Sequence, residues 1–240
     1  MKSVYYPATE RGHANHGWLD SYHSFSFANF YDPSRIHFGA LRVLNDDTVK
    51  PGFGFSRHPH DNMEIVSIPL FGDLEHKDST GRTEIIRQND VQIMSAGSGI
   101  SHSEMNANKD KEVKFLQIWV FPLKRDIEPR YQQKTFDPEK RMNRIQTVVA
   151  PDQADAIEIN QNAWFSLLKA APGFETSYQV KKEGNGVYVF MIDGAATVNG
   201  IALGKRDAAG IWEAGQLDIT VSSASELLLI DVPMKLEGLS

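Results

Sequence analysis

Apolar and polar positions alternate along this chain in short runs separated by turn formers, the pattern of β-strands. His23-Ser24-Phe25-Ser26-Phe27 predicts a half-buried strand. Gly39 to Leu44 predicts another, closed by the turn-prone Asn45-Asp46-Asp47. Met63 to Phe71 is dense in branched and apolar residues and ends at Gly72-Asp73. Leu74 to Lys77 and Thr83 to Arg87 flank Ser79-Thr80-Gly81-Arg82, which predicts a hairpin. Val91 to Met94 runs into the loop Ala96-Gly97-Ser98-Gly99, and Val113 to Phe121 reads as a buried strand stopped by Pro122. Thr9 to Trp18, rich in turn formers, is expected to be irregular.

Lys124 to Arg144 is charged, carries Pro129 and Pro138 and sustains no period, so it reads as a connector. Strands then resume: Ala163 to Lys169, Ser177 to Val180, Gly186 to Ile192, Thr197-Val198 and Ile201 around an Asn199-Gly200 turn, Gly210 to Trp212, Leu217 to Val221, and Leu227 to Val232. Short strands at this spacing predict an all-β fold of sandwich or barrel type. The expected units are residues 1–123, a connector at 124–145, and residues 146–240. The two units echo each other: with Gly72 aligned on Gly194, His58 falls on Val180 and His60 on Lys182. The second unit is therefore expected to be a copy without the first unit's histidines.

Composition narrows the function without choosing it. At 240 residues, 41% hydrophobic and 23% charged, the chain is long enough to bury a real core in each unit. A net charge of −6 with no basic block favours neither nucleic acid nor an anionic membrane as a partner. The absence of cysteine removes disulfides, thiolate chemistry and sulfur-ligated metals, and fits a reducing cytoplasm. Met1 to Pro7 lacks the apolar run of a signal peptide, and no stretch is long enough to span a bilayer. A soluble cytoplasmic protein is expected.

The histidines carry the chemistry. All 8 lie between His13 and His102. His58-Pro59-His60 on an extended strand puts two imidazoles on one face, and the same rule pairs His102 with Glu104. If the two strands lie side by side, three imidazoles and one carboxylate converge, the donor set of a mononuclear transition-metal site. A chance His-x-His is expected roughly once in four chains of this composition, so the first pair alone is a weak motif. Gathering such groups in an interior without a bound dication would cost on the order of several kcal/mol of desolvation.

Several stretches together resemble the cupin superfamily and, within it, the pirin family. They are Gly52-x5-His58-x-His60-x3-Glu64 and the block Asn89-x5-Ser95-x-Gly97 followed by His102-x3-Asn106. The second departs from the usual cupin wording by two extra residues and by Asn89 and Ser95 where Gly and Pro are common. The pirin wording lies in His58-Pro59-His60, the run from Met94 to Met105, the run from Arg11 to Trp18, and Phe25-Ser26-Phe27-Ala28. The resemblance covers essentially the whole chain. It implies a bicupin of two antiparallel, jelly-roll-like β-barrels with metal only in the first. It also implies His58, His60, His102 and Glu104 as ligands. Glu64 is the alternative fourth ligand, because the Glu after His-x-His ligates the metal in many other cupins and shares parity with the pair.

The expected cofactor is one divalent transition-metal ion, Fe first, with Ni, Co, Mn, Cu or Zn compatible with nitrogen and oxygen donors. The implied activity is that of bacterial pirin-like quercetin 2,3-dioxygenases, ring opening of a flavonol such as quercetin with molecular oxygen. Glu104 is the candidate base for the substrate hydroxyl. The implied partners are thus a small aromatic substrate and dioxygen; no protein partner is indicated. The alternative is a metal-dependent binding or regulatory protein with incidental quercetinase activity.

Blander readings apply to the other candidates. His13 and His16 are expected to bond to backbone, and His23, His37 and His76 to be surface or satisfied groups. Gly97 and Gly99 lack the following Lys-Ser/Thr of a phosphate loop and read as conformational glycines. Phe53, Phe55, Met63, Met94 and Phe115 are core candidates, some of which are expected to line a substrate pocket.

Overall fold

The computed structural model describes residues 1–236. Its first twelve strands, in chain order, are β1 (Lys2–Tyr6), β2 (Gly12–Asn15), β3 (Leu19–His23), β4 (Leu41–Val49), β5 (Gly54–His60), β6 (Glu64–Phe71), β7 (Leu74–Asp78), β8 (Thr83–Ile86), β9 (Asp90–Ser95), β10 (Ile100–Asn106), β11 (Val113–Val120) and β12 (Arg130–Thr135). The remainder are β13 (Gln146–Ala150), β14 (Ile157–Glu158), β15 (Trp164–Ala170), β16 (Glu175–Gln179), β17 (Asn185–Asp193), β18 (Ala196–Val198), β19 (Ile201–Leu203), β20 (Ala208–Trp212), β21 (Gln216–Val221) and β22 (Ser225–Pro233). Among the described residues, no helix is long and apolar enough to cross a membrane.

Each half pairs a seven-stranded sheet with a four-stranded one. In the first half the orders are β12-β9-β6-β11-β4-β3-β2 and β5-β10-β7-β8. In the second they are β1-β20-β17-β22-β15-β13-β14 and β16-β21-β18-β19. The orders correspond strand for strand over most of their length, as a duplicated unit requires. The all-β, two-unit expectation therefore holds in its jelly-roll form. No order closes into a hydrogen-bonded ring, so each unit is two facing sheets rather than a closed barrel.

Two edge strands come from outside the halves they complete. The first strand, β1, pairs with β20 of the second half, Lys2 opposite Trp212. Arg130 to Thr135, inside the expected connector, form β12 and pair with β9, Arg130 opposite Ser95. The strand expected at His23–Phe27 ends at His23, where pairing with β4 stops. Ser24, Phe25 and Ser26 are all buried beyond it, so their alternation reported burial rather than a ladder. Conversely, part of the expected irregular stretch forms β2, paired with β3. The two hairpins stand as expected: Val198 faces Ile201 across Asn199-Gly200, both at positive φ, and Lys77 faces Thr83.

Alternation along the strands decides where the core sits. Val66, Ile68, Leu116 and Ile118 point away from the first half's interior and meet Val148, Phe165, Tyr188 and Ile230 of the second half in the largest apolar cluster. The second half is filled by one further cluster that includes Leu168, Tyr178, Val189, Leu217, Ile219 and Leu229. The first half's interior instead holds two small clusters, one around Val49, Leu74 and Phe115 and one around Ile65, Met94 and Ile100.

What lies between them is polar. Register places His23 opposite Asn45, Asn45 opposite Gln117, Gln117 opposite Ser67, and Ser67 opposite Gln92. Directly opposed residues share a face of a sheet, so these five form a belt across the large sheet. Ser67 and Gln117 bond to Glu104 of the four-stranded sheet, which shows that the belt faces inward.

Candidate metal centre

The three histidines of the motif come together. β5 and β10 pair antiparallel with His58 opposite His102 and Ile100 opposite His60. The ring centroids are 4.8 Å apart for His58 and His60, 4.5 Å for His58 and His102, and 4.9 Å for His60 and His102. One ring nitrogen from each lies within 4.8 Å of the other two. Pro59, between the first two, sits on β5, an edge strand, where a residue without an N–H is tolerated.

The donors are in the state a metal needs. Burial, with the neighbouring His102 and His58 adding to it, pushes His60 down to about 4. His102 is pushed down to about 3, again by burial first and then by His58 and His76. Both imidazoles are thus neutral at pH 7, with a lone pair available. Nε2 of His102 is buried and has no hydrogen-bond partner. His58 donates its Nδ1–H to the Ser56 carbonyl at 2.7 Å, which leaves Nε2 as the lone-pair nitrogen. An orphaned buried acceptor among neutral imidazoles fits a divalent cation bound by nitrogen.

Glu104 and Glu64 are placed differently from each other. Glu104, two residues from His102, is buried on the same face and its charge reaches His60. Its carboxylate accepts from Gln117 Nε2 at 2.6 Å and Ser67 Oγ at 3.2 Å, so the three imidazoles alone form the tight cluster. Glu64 begins β6, in the other sheet. The chain turns between the two strands at Asn62, with φ 46°, and parity with His58 and His60 does not survive the turn. Glu64 instead accepts from Ser95 Oγ at 2.9 Å and from the Asn160 N–H of the second half at 3.1 Å. Burial pushes it up to about 7.

The expected pocket residues fall in two groups, Phe55 beside the cluster of Phe115, and Met63 beside that of Met94 and Trp119. Phe53 is 50% exposed and stacks on Trp18, with Phe55 edge-on to the same ring. Phe115 is buried in one interior cluster; Met94 is buried in the other, against which Met63 packs. The site wall that sequence reasoning missed is Trp119, its ring 4.9 Å from His60 and its Nε1 buried without a partner. Trp119 alternates with Gln117 and Phe115 along β11, and that period-two spacing was the signal that could have found it. His76, expected to be a surface or satisfied group, is fully buried and bonded to Asp78. His23, also buried, contacts Ser21, which bonds Asp47. Burial pushes the Asp47 carboxyl up to about 7 against that Ser21 bond, with the Glu104 charge adding to the rise.

A shallow depression of about 340 Å³ is lined by Pro59, His60, Asp61, Ser79 and Ser101, and of the three motif histidines only His60 borders it. The larger cleft, about 840 Å³, lies at the junction of the halves beside Trp212 and Asn185 and contains no histidine. Among its described residues the second half lacks a matching centre for a simple reason. The buried positions of β21 are Leu217, Ile219 and Val221, where β10 carries His102, Glu104 and Asn106.

Two jelly-roll units with metal-binding chemistry confined to the first define a protein of the bicupin type. Residues 6–120 match the family model described as Pirin, and residues 147–232 match the model described as Quercetinase C-terminal cupin domain. The chain belongs to the pirin family. It is 41% identical over 227 residues to the quercetin 2,3-dioxygenase of Escherichia coli (strain K12), covering 94% of this chain and 96% of that protein. A pirin-like protein of Caulobacter vibrioides is 38% identical over 227 residues, covering 94% and 97%. A solved structure of the bacterial pirin YhhW from Escherichia coli in complex with nickel(II) matches with a TM-score of 0.91 at 39% identity, covering 97% of this chain and 99% of that one.

Proposed function

We propose that this protein is a metal-dependent dioxygenase that opens the ring of flavonols such as quercetin, with an Fe ion held by His58, His60, His102 and Glu104. The observation that carries this reading is the unpartnered Nε2 of His102 facing two further imidazoles on the face shared with Glu104. The names of the relatives support the substrate class, and the nickel(II) complex of a pirin supports metal occupancy. When bound, the ion supplies a Lewis-acid centre at which substrate and dioxygen are brought together.

The chain's own residues do the rest. His60 and His102, neutral at working pH, hold their lone pairs ready without first releasing a proton. Glu104 takes the proton of the flavonol 3-hydroxyl, and Gln117 and Ser67 aim its carboxylate. Trp119 and the buried Ile65, Met94 and Ile100 exclude water beside the rings. In the overall reaction both atoms of dioxygen enter the ring-opened product and one ring carbon leaves as carbon monoxide.

The test is product analysis with metal-loaded protein, quercetin and isotopically labelled dioxygen. The expected result is a ring-opened product carrying both label atoms, with carbon monoxide released in equal amount. Conversion at an undiminished rate under strict anaerobiosis would overturn the proposal.

A further inference from the structure

Beside His102 stand two more buried polar side chains, His76 and Asp78. His102 Nδ1 lies 3.5 Å from His76 Nδ1, at the long limit of a hydrogen bond. His76 Nε2 lies 3.1 Å from Asp78 Oδ2. The other oxygen of Asp78 accepts from the Thr80 N–H at 2.9 Å and the Thr80 hydroxyl at 2.5 Å. Register makes this arrangement a property of the sheet: His102 is opposite Asp78 and Glu104 is opposite His76 across β10 and β7.

The donors and acceptors can be assigned one after another. An ionised carboxylate only accepts, so His76 Nε2 donates to Asp78. As the Nε2–H tautomer, His76 presents a bare Nδ1 to His102, and that nitrogen accepts. The His102 nitrogen facing it is Nδ1, which must then donate, and the lone pair of His102 is left on Nε2. That is the buried nitrogen with no partner, turned toward His58 and His60. His58 obtains the same tautomer from a backbone carbonyl, Ser56, whereas His102 obtains it through a side-chain relay.

We infer that His76 and Asp78 are positioning residues that fix the tautomer and ring orientation of His102 so that its Nε2 lone pair is presented to the metal. The inference rests on the metal reading above, and it concerns residues that touch neither substrate nor ion. Metal-ligating histidines generally hold their second N–H on a fixed acceptor, and loss of such a partner typically costs 10- to 100-fold in metal affinity.

Two measurements test it, the first on the wild-type chain without metal. Long-range proton–nitrogen correlation of the ¹⁵N-labelled imidazoles, assigned with His102→Gln and His76→Gln, should show the proton of His102 on Nδ1 and that of His76 on Nε2. The reverse tautomer at His102 would overturn the inference, and this readout does not depend on any variant's stability. The second is Ni²⁺ affinity by competition with a chromophoric chelator. His76→Leu should bind roughly 10- to 100-fold more weakly, and His76→Gln, whose Oε1 can still accept from His102, should recover most of the loss. Equal affinity in wild type and a folded His76→Leu would overturn it. Should wild type itself fail to bind Ni²⁺, the metal reading fails, while the tautomers are still decided by the first measurement.

Discussion

Gln117, on the large sheet, donates to the Glu104 carboxylate of the facing sheet at 2.6 Å, and Ser67 adds a second donor at 3.2 Å. This contact ties the polar belt to the strand that carries His102. Removing the amide leaves a buried carboxylate with one donor. Gln117→Leu is expected to destabilise the metal-free protein by about 1–3 kcal/mol and to weaken metal binding roughly 10- to 100-fold. Urea unfolding and chelator competition check the two effects, and a variant unchanged in both would show that the belt does not support the site.

Glu64 sets a pH dependence at the junction of the halves. Its folded pKa is about 7, raised by burial from the ordinary 4.5. Between those two values the folded chain holds a proton that the unfolded chain has released, so stability falls as pH rises through this window and levels off above it. Glu64→Gln should lack that fall. In paired urea titrations at pH 5 and pH 8, the gap between variant and wild type should move in the variant's favour by on the order of 1–3 kcal/mol at the higher pH. Parallel behaviour of the two proteins would contradict the assignment.

Trp119 lies edge-on to His60 with centroids 4.9 Å apart and is the tryptophan in direct contact with the cluster. A paramagnetic ion added to the metal-free protein should therefore quench mainly its emission. Trp119→Phe should retain metal binding and lose most of the quench, although Trp18, Trp164 and Trp212 still emit. An equal fractional quench in the variant would place the ion elsewhere.

Gly97 turns the loop that leads into β10. Its φ is 49°, its carbonyl accepts from the Asn62 N–H at 2.9 Å, and a Cβ there would collide with the Ile127 carbonyl oxygen. Gly97→Ala is expected to cost about 1–3 kcal/mol from backbone strain, with the collision adding to it. Gly215→Ala, where a Cβ meets open space, should stay within about 0.5 kcal/mol of wild type. Similar unfolding midpoints for both variants would sink this reading.

What the sequence made legible follows from how local each signal is. His58 and His60 share one strand and His102 and Glu104 another, so period-two alternation alone put each pair on a common face. The rule does not extend to Glu64, because parity counts only along an unbroken strand and the chain turns at Asn62. The strands around Val91, Val113 and Leu227 are runs of apolar residues and were readable as such. The polar belt was not, since His23, Asn45, Gln117, Ser67 and Gln92 come from five strands and align only through register. Residues 2–6 show nothing of their partner β20, about two hundred residues away, and Arg130 to Thr135 look like connector until β9 pairs with them. His76 is indistinguishable in sequence from a surface histidine; its role depends on β7 lying beside β10.

The central claim is that one centre, built by His58, His60 and His102, both holds the metal and drives oxygen chemistry. Elemental analysis and quercetin-dependent oxygen uptake, measured on the same preparations of wild type, His58→Ala and His102→Ala, test it most directly. The expected result is one ion per chain and oxygen uptake in wild type, loss of both in each variant, and restoration by added ion in metal-stripped wild type alone. Full turnover of quercetin by metal-stripped wild type, or by His102→Ala, would contradict it.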